Sequence, residues 1–382
     1  MKLFSCSACK HVAFFENSRC VRCSSTLAYL PDCGVVTALE PDTSTGSTPP
    51  AAAPVAFLAL DPAAKGARYR LCQNYATHAV CNWAIPELEP NNLCPSCRLN
   101  EEVPDTSDPT AIDSWRALEV AKRRLVYTLL ALGLPLESKQ AQPETGLAFA
   151  FKQDGPNGER VLTGHCDGLV TINVAEADPS ARESIRTQLG ERYRTLLGHF
   201  RHESGHYYWD RLIKDSTLLG PFRAEFGDEQ EDYEQAVKRH YASVHKDWSA
   251  GFVSAYATMH PWEDWAETWA HYLHMLDTIE TAQSYGLALK PQPLGGALSE
   301  MVTTRRLQLD DFDHLLAAWI PLSVALNSLN RSMGLPDLYP FVLADRVISK
   351  LRFVHQVIVR GASSLEPSVE ARLEPPDVRA AS

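Results

Sequence analysis

Nine of the ten cysteines in this 382-residue chain fall within its first hundred residues, eight of them at spacings that leave the fold there little freedom. Cys6-x-x-Cys9 and Cys20-x-x-Cys23 are two short turns, each able to aim a pair of thiolates at one ion. Together they supply the four soft ligands of a closed, tetrahedral structural zinc site. Cys72, Cys81, Cys94 and Cys97 predict a second such site, with His78 as a substitute ligand. Matched turns of this kind suit a reducing compartment better than a disulfide framework does. The expected modules are a zinc ribbon over 1–39 and a second four-cysteine zinc module over 57–104. Between them, 40–56 reads as a linker or loop, because its Pro, Ser, Thr and Ala offer no periodic apolar face to bury. Cys33 lies outside the pattern and reads as a free thiol.

Past the second module the pattern becomes that of an α+β domain over 105–360. Trp115, Leu118, Leu125, Leu129 and Leu132 recur at helical spacing across 112–132, with Asp113 or Ser114 near the N-cap and Gly133 at the stop. Residues 146–174 change to short β-prone runs, predicting a small, mostly antiparallel sheet with 168–174 as its substrate-pairing edge strand. Helices follow from Asp178-Pro179, over 192–212 and near 233–241, and Tyr208 and Trp209 are expected in the core. Residues 277–359 alternate apolar helical runs with Pro and Gly breaks and predict a helical C-terminal part; 361–382 read as a disordered tail. With 45% hydrophobic residues the chain can bury a sizeable core, while a net charge of −11 argues against nucleic acid or an anionic membrane as partner. The first residues lack an apolar signal region, and no uninterrupted apolar run reaches about 18 residues, so a cytoplasmic location is expected.

The chemistry concentrates in His202-Glu203-Ser204-Gly205-His206. On a helix the two histidines lie one turn apart and can grip one zinc ion. Glu203, rotated about 100° around the axis, reaches a water on that ion and can take its proton. Catalytic zinc usually takes three protein ligands, so a third is owed from elsewhere. The run from Tyr256 to His274 supplies it: Pro261 fits the first position of a helix, which puts Glu263 in the first turn and Glu267 on the same face. His165, His199, His260, His271 and His274 read as ordinary packed or surface histidines, and Cys166 has no evident role beside a metal that activates water.

Glu263-x-x-Ala-Glu267 downstream of this pattern resembles the second-helix motif of the gluzincin metallopeptidases. That resemblance implies Glu263 as third zinc ligand and Glu267 as the acid that supports a zinc-binding histidine. In the similar lethal-factor and Pro-Pro endopeptidase group, a tyrosine seven residues before the glutamate points at the substrate carbonyl oxygen, and Tyr256 has that spacing. A closer likeness covers most of the chain. The run 194–210, the Pro-Trp-Glu-Asp-Trp-Ala-Glu stretch and the N-terminal cysteines look like the bacterial zinc-binding metallopeptidase family with an N-terminal zinc-ribbon domain. This implies a gluzincin-like fold, three zinc ions (one catalytic, two structural), Glu203 as general base, and a protein or peptide substrate. The alternative is an adaptor whose zinc modules dock a partner while the peptidase fold is idle. Intact Glu203 and Tyr256 favour the enzyme, because a scaffold needs at most the ligands.

Overall fold

The computed structural model describes residues 2–43, 55–155, 157, 159–189, 195–242, 247–289 and 311–363. A hairpin of β1 (Phe4–Ser5) and β2 (Val12–Ala13) presents the first cysteine turn. Then come β3 (Thr26–Leu30), β4 (Val35–Pro41), β5 (Phe57–Ala59), β6 (Arg68–Leu71), α1 (Gln73–His78) and β7 (Ala84–Pro86). The five strands form one antiparallel sheet in sequence order, and a bridge from Tyr29 to Trp83 brings its first strand back against its last. The strands on either side of the expected 40–56 linker are therefore hydrogen-bonded neighbours.

Directly after Cys97, β8 (Asn100–Glu102) crosses into a second sheet. It is followed by α2 (Pro109–Ala131), which is capped by Asp108 rather than by Asp113 or Ser114. The Asp108 carboxylate accepts the Thr110 N–H, and Pro109 takes the first helical position. Next come β9 (Ala148–Lys152), β10 (Gly164–Cys166) and β11 (Leu169–Asn173), in the order β10-β11-β9-β8. This sheet is mixed, not mostly antiparallel: β8 with β9 and β9 with β11 run parallel, and β10 with β11 alone is antiparallel. The 23-residue α2 accounts for the β8–β9 pair, since a long crossover returns the chain in its starting direction, whereas β9 and β11 run parallel because β10 lies between them in sequence and pairs on the far side of β11. The expected edge strand also moves. Residues 169–173 lie inside the sheet, and the edge beside them is β10, folded back by a turn in which Asp167 and Gly168 have φ of 47° and 79°; β8 forms the opposite edge. Gly168 is required there, because a Cβ would stand 2.3 Å from the Gly146 carbonyl oxygen.

The helical part comprises α3 (Pro179–Leu189), α4 (Leu196–Leu212), α5 (Leu219–Phe226), α6 (Tyr233–Ala242), α7 (Pro261–Ser284), α8 (Phe312–Ser332) and α9 (Asp345–Ser363). Its axis is the pair α4 and α7. Small residues face each other across it, so that a Cβ on Gly205 would lie 2.9 Å from the Ala266 Cα. Trp265 donates to the Gly205 carbonyl at 2.8 Å, Trp269 donates to the Ser204 hydroxyl at 3.1 Å, and Tyr208 stacks on Trp269. Tyr208 and Trp209 are buried as expected. By length and composition α8 could cross a membrane, although polar residues interrupt its apolar run; Phe312, Leu315, Trp319 and Leu322 are buried within the protein. The residues called a tail at 361–382 lie outside the described residues from 364 onward.

Candidate active site and zinc centres

In both cysteine clusters the sulfurs converge without bonding. Cys6 and Cys23 stand 3.7 Å apart, Cys9 and Cys20 3.6 Å, and Cys81 and Cys94 3.7 Å, and all ten cysteines are free. Four sulfurs about 2.3 Å from one zinc ion would be about 3.8 Å from one another, so these separations fit tetrahedral sites and exclude disulfides. The first cluster is Cys6, Cys9, Cys20 and Cys23; the second, wholly buried, is Cys72, Cys81, Cys94 and Cys97. His78 takes no part and packs against Trp115.

The third cluster is His202, His206 and Glu263. Thr195 starts α4 by accepting the Gly198 N–H at 3.0 Å, which sets the two histidines one turn apart on the face toward α7. On α7, His260 caps the helix by accepting the Trp262 N–H, and Pro261 follows at the first position. Glu263 thereby meets the histidines head-on. Its Oε2 lies 3.0 Å from His202 Nε2 and 3.5 Å from His206 Nε2, and the two Nε2 atoms are 3.2 Å apart. Ligands about 2.0 to 2.1 Å from a zinc ion occupy tetrahedron corners about 3.3 to 3.4 Å apart, so the three donors fit three corners and leave a fourth.

Glu267, one turn beyond Glu263, takes His202 Nδ1 at 2.7 Å and the Ser254 hydroxyl at 2.6 Å. This is the carboxylate–histidine arrangement that fixes a ligand's tautomer and ring angle. Burial opposes charge on both acids, yet the His202 hydrogen bond holds Glu267 down to about 2, and the His206 and His202 rings hold Glu263 well below the usual range. Glu203 is different: burial pushes its carboxyl up, and its Oε2 is buried without a hydrogen-bond partner. Tyr256 opens a short 3-10 turn, Tyr256–Thr258, and its ring centroid lies 5.9 Å from that of His202.

Every residue predicted for the site is thus gathered within it. Three participants were not foreseen. Ser254 ties the turn bearing Tyr256 to Glu267, since its hydroxyl also accepts the Ala257 N–H. Tyr233 donates to Glu263 Oε1 at 2.9 Å. Trp262 packs on His206 with ring centroids 3.9 Å apart. A tyrosine thirty residues before its partner leaves no periodic signal, and only the fold pairs them. Of the remaining histidines, His199 meets Glu176, His271 Nδ1 bonds the Tyr339 hydroxyl at 2.7 Å, and His274 packs against Trp319 and Tyr339. His165 accepts the Gly168 N–H and lies beside His206, where burial lowers its pKa to about 3.

Residues 111–357 match the family described as "Putative zinc-binding metallo-peptidase", and residues 3–108 match a zinc-ribbon domain. Uncharacterized proteins from two Mycobacterium tuberculosis strains and from Mycobacterium bovis are 40% identical over 374 residues, covering 97% of this chain and 99% of theirs. No solved structure matches. With three donors at zinc spacing inside the matched segment and two four-sulfur clusters ahead of it, the chain belongs to this zinc-binding metallopeptidase family.

Proposed function

We propose that the protein is a zinc-dependent endopeptidase that cleaves protein or peptide substrates, with one catalytic and two structural zinc ions. The observation that carries this reading is the Glu203 carboxylate, whose Oε2 is buried and unpaired beside a three-donor zinc centre. A structural metal site has no use for such a group, since burying a carboxylate oxygen without a partner costs stability. A zinc ion held by His202, His206 and Glu263 would polarise a substrate carbonyl and make a bound water acidic near neutral pH. Glu203 then takes the water proton at Oε2, which its raised pKa suits, and returns it to the leaving amine. Tyr256 donates a hydrogen bond to the developing oxyanion, a contribution of about 2 to 4 kcal/mol. Glu267 keeps His202 turned toward the ion. The strand open to an extended substrate is β10, which among the described residues pairs only with β11.

The test pairs chemistry with metal analysis. Glu203→Gln should keep about three zinc ions per chain while hydrolysis of a peptide library falls at least about a hundredfold. His202→Ala with His206→Ala should lose one ion and keep the two held by sulfur. Cleavage by Glu203→Gln at the wild-type rate, or an unchanged zinc count in the double variant, contradicts the proposal.

A further inference from the structure

Tyr233 is neither a ligand nor a residue the proposed hydrolysis calls upon, yet its hydroxyl is bonded to the zinc-facing glutamate. The two oxygens of Glu263 have separate partners. Oε2 faces the two Nε2 atoms at 3.0 and 3.5 Å, and Oε1 accepts from Tyr233 at 2.9 Å. A carboxylate can hold a metal through one oxygen or both, and the second mode adds a donor on the open side of the ion where water and substrate bind. We infer that Tyr233 is a positioning residue that occupies Glu263 Oε1 and so keeps Glu263 a one-oxygen ligand with the fourth corner free. This rests on the zinc centre proposed above, not on its peptidase activity.

The contact is built, and does not come from a wandering side chain. His260 accepts the Trp262 N–H through Nδ1, so its other nitrogen carries the proton and donates to the Glu231 carbonyl at 3.0 Å. One buried imidazole therefore fixes both the start of α7, which bears Glu263, and the backbone two residues before Tyr233. The Tyr233 ring packs on the same imidazole, centroids 5.3 Å apart. Farther along α6, His240 meets the Thr258 hydroxyl at 3.3 Å and the Tyr256 ring at 6.1 Å, and Ala236 is buried. Tyr256 also stands close to Tyr233. Docking of α6 thus sets the orientation of one ligand and stands beside the proposed oxyanion donor, which gives a helix outside the α4 and α7 pair a direct hand in the centre.

The experiment uses the full chain carrying Tyr233→Phe, which keeps the ring on His260 and removes only the hydroxyl. Zinc affinity of the histidine–glutamate centre is measured by chelator competition, with the His202→Ala, His206→Ala variant as blank for the sulfur sites. The same centre is then refilled with cobalt(II) and its visible spectrum recorded as a difference from that blank. Freed to bind through both oxygens, Glu263 should give the weaker d–d absorption of a five-coordinate ion, and zinc affinity should fall about 10- to 100-fold, as for other outer partners of ligands. Tyr256→Phe, measured alongside, should keep the wild-type spectrum and affinity. An unchanged spectrum and affinity in Tyr233→Phe overturns the inference, as does Tyr256→Phe reproducing the whole effect. Neither result bears on whether Glu203 drives hydrolysis, so the two readings fail separately.

Discussion

Replacing Gly205 with alanine tests whether the site depends on how closely α4 and α7 approach. The added Cβ would stand 2.9 Å from the Ala266 Cα and 3.2 Å from Trp269 Cβ and Cδ1. Carbon atoms prefer about 3.5 to 4.0 Å, so the helices must part by roughly half an ångström or more. Backbone is the obstacle at Ala266, which leaves little room for a side chain to yield. Overpacking of this kind costs about 1 to 3 kcal/mol, against which alanine recovers about 1 kcal/mol of helix propensity. The expected net loss is therefore up to about 2 kcal/mol, read as a shifted midpoint in urea unfolding. The larger consequence is at the centre. Glu263 and Glu267 flank Ala266 on α7, and a shift of that helix pulls them from His202, whose contacts are 3.0 and 2.7 Å. Zinc should then leave the histidine–glutamate centre to a chelator that the wild type withstands, while both sulfur sites keep theirs. A variant with the wild-type midpoint and the wild-type zinc retention would refute the claim that glycine sets the helix spacing.

Two further outcomes follow from buried charge. Lys350 donates to Asp264 at 2.6 Å and to the Gly251 carbonyl at 2.7 Å, both charged side chains being almost wholly buried; Lys350→Met should cost about 3 to 5 kcal/mol in urea unfolding, and Asp264→Leu added to it should restore most of the loss, whereas a cost below about 1 kcal/mol would contradict this account. Burial lowers the pKa of His271 to about 4, so between that value and an unfolded value of about 6.5 the unfolded chain binds the extra proton and stability drains away as pH falls; the wild type should lose about 2 kcal/mol more than His271→Gln on going from pH 7 to 5, and equal losses in the two proteins would sink the assignment.

Much of the metal chemistry was legible because its signals are local. Cys-x-x-Cys turns and two histidines four residues apart encode their geometry in spacing alone, and Pro261 announces the helix on which Glu263 and Glu267 share a face. The sheet was less legible. Residues 146–174 contain a tight turn, and tight turns suggest antiparallel pairing, but the β8–β9 pair depends on the α2 crossover upstream of them, and the β9–β11 pair on β10 taking the outer side of β11. The edge strand was misplaced for a related reason: β11 is longer and more apolar, hence easier to see, while the three-residue β10 carries the open edge. Ser254 and Tyr233 escaped because each acts through a contact between segments with no fixed spacing.

The place of the zinc ribbon can be argued from the same connections. The chain leaves the second cysteine cluster at Cys97 and is in β8 three residues later, hydrogen-bonded to β9 of the peptidase sheet. From there α2 reaches both ways. Arg123 donates to the Val80 carbonyl and Arg116 to that of Ala79, beside Cys81, while Thr128 and Tyr127 bond Asp277 and Glu280 on α7. Lys122 and Glu119, both fully buried, join Asn100 of β8 to the middle of the same helix. A buried ion pair is retained at a desolvation cost, and here it sits at the seam between the two matched segments. The ribbon is therefore not an appendage on a tether. Its second four-cysteine cluster anchors the strand that starts the second sheet and the helix that backs α7, so the packing of that cluster and the alignment of α4 and α7 belong to one structural problem.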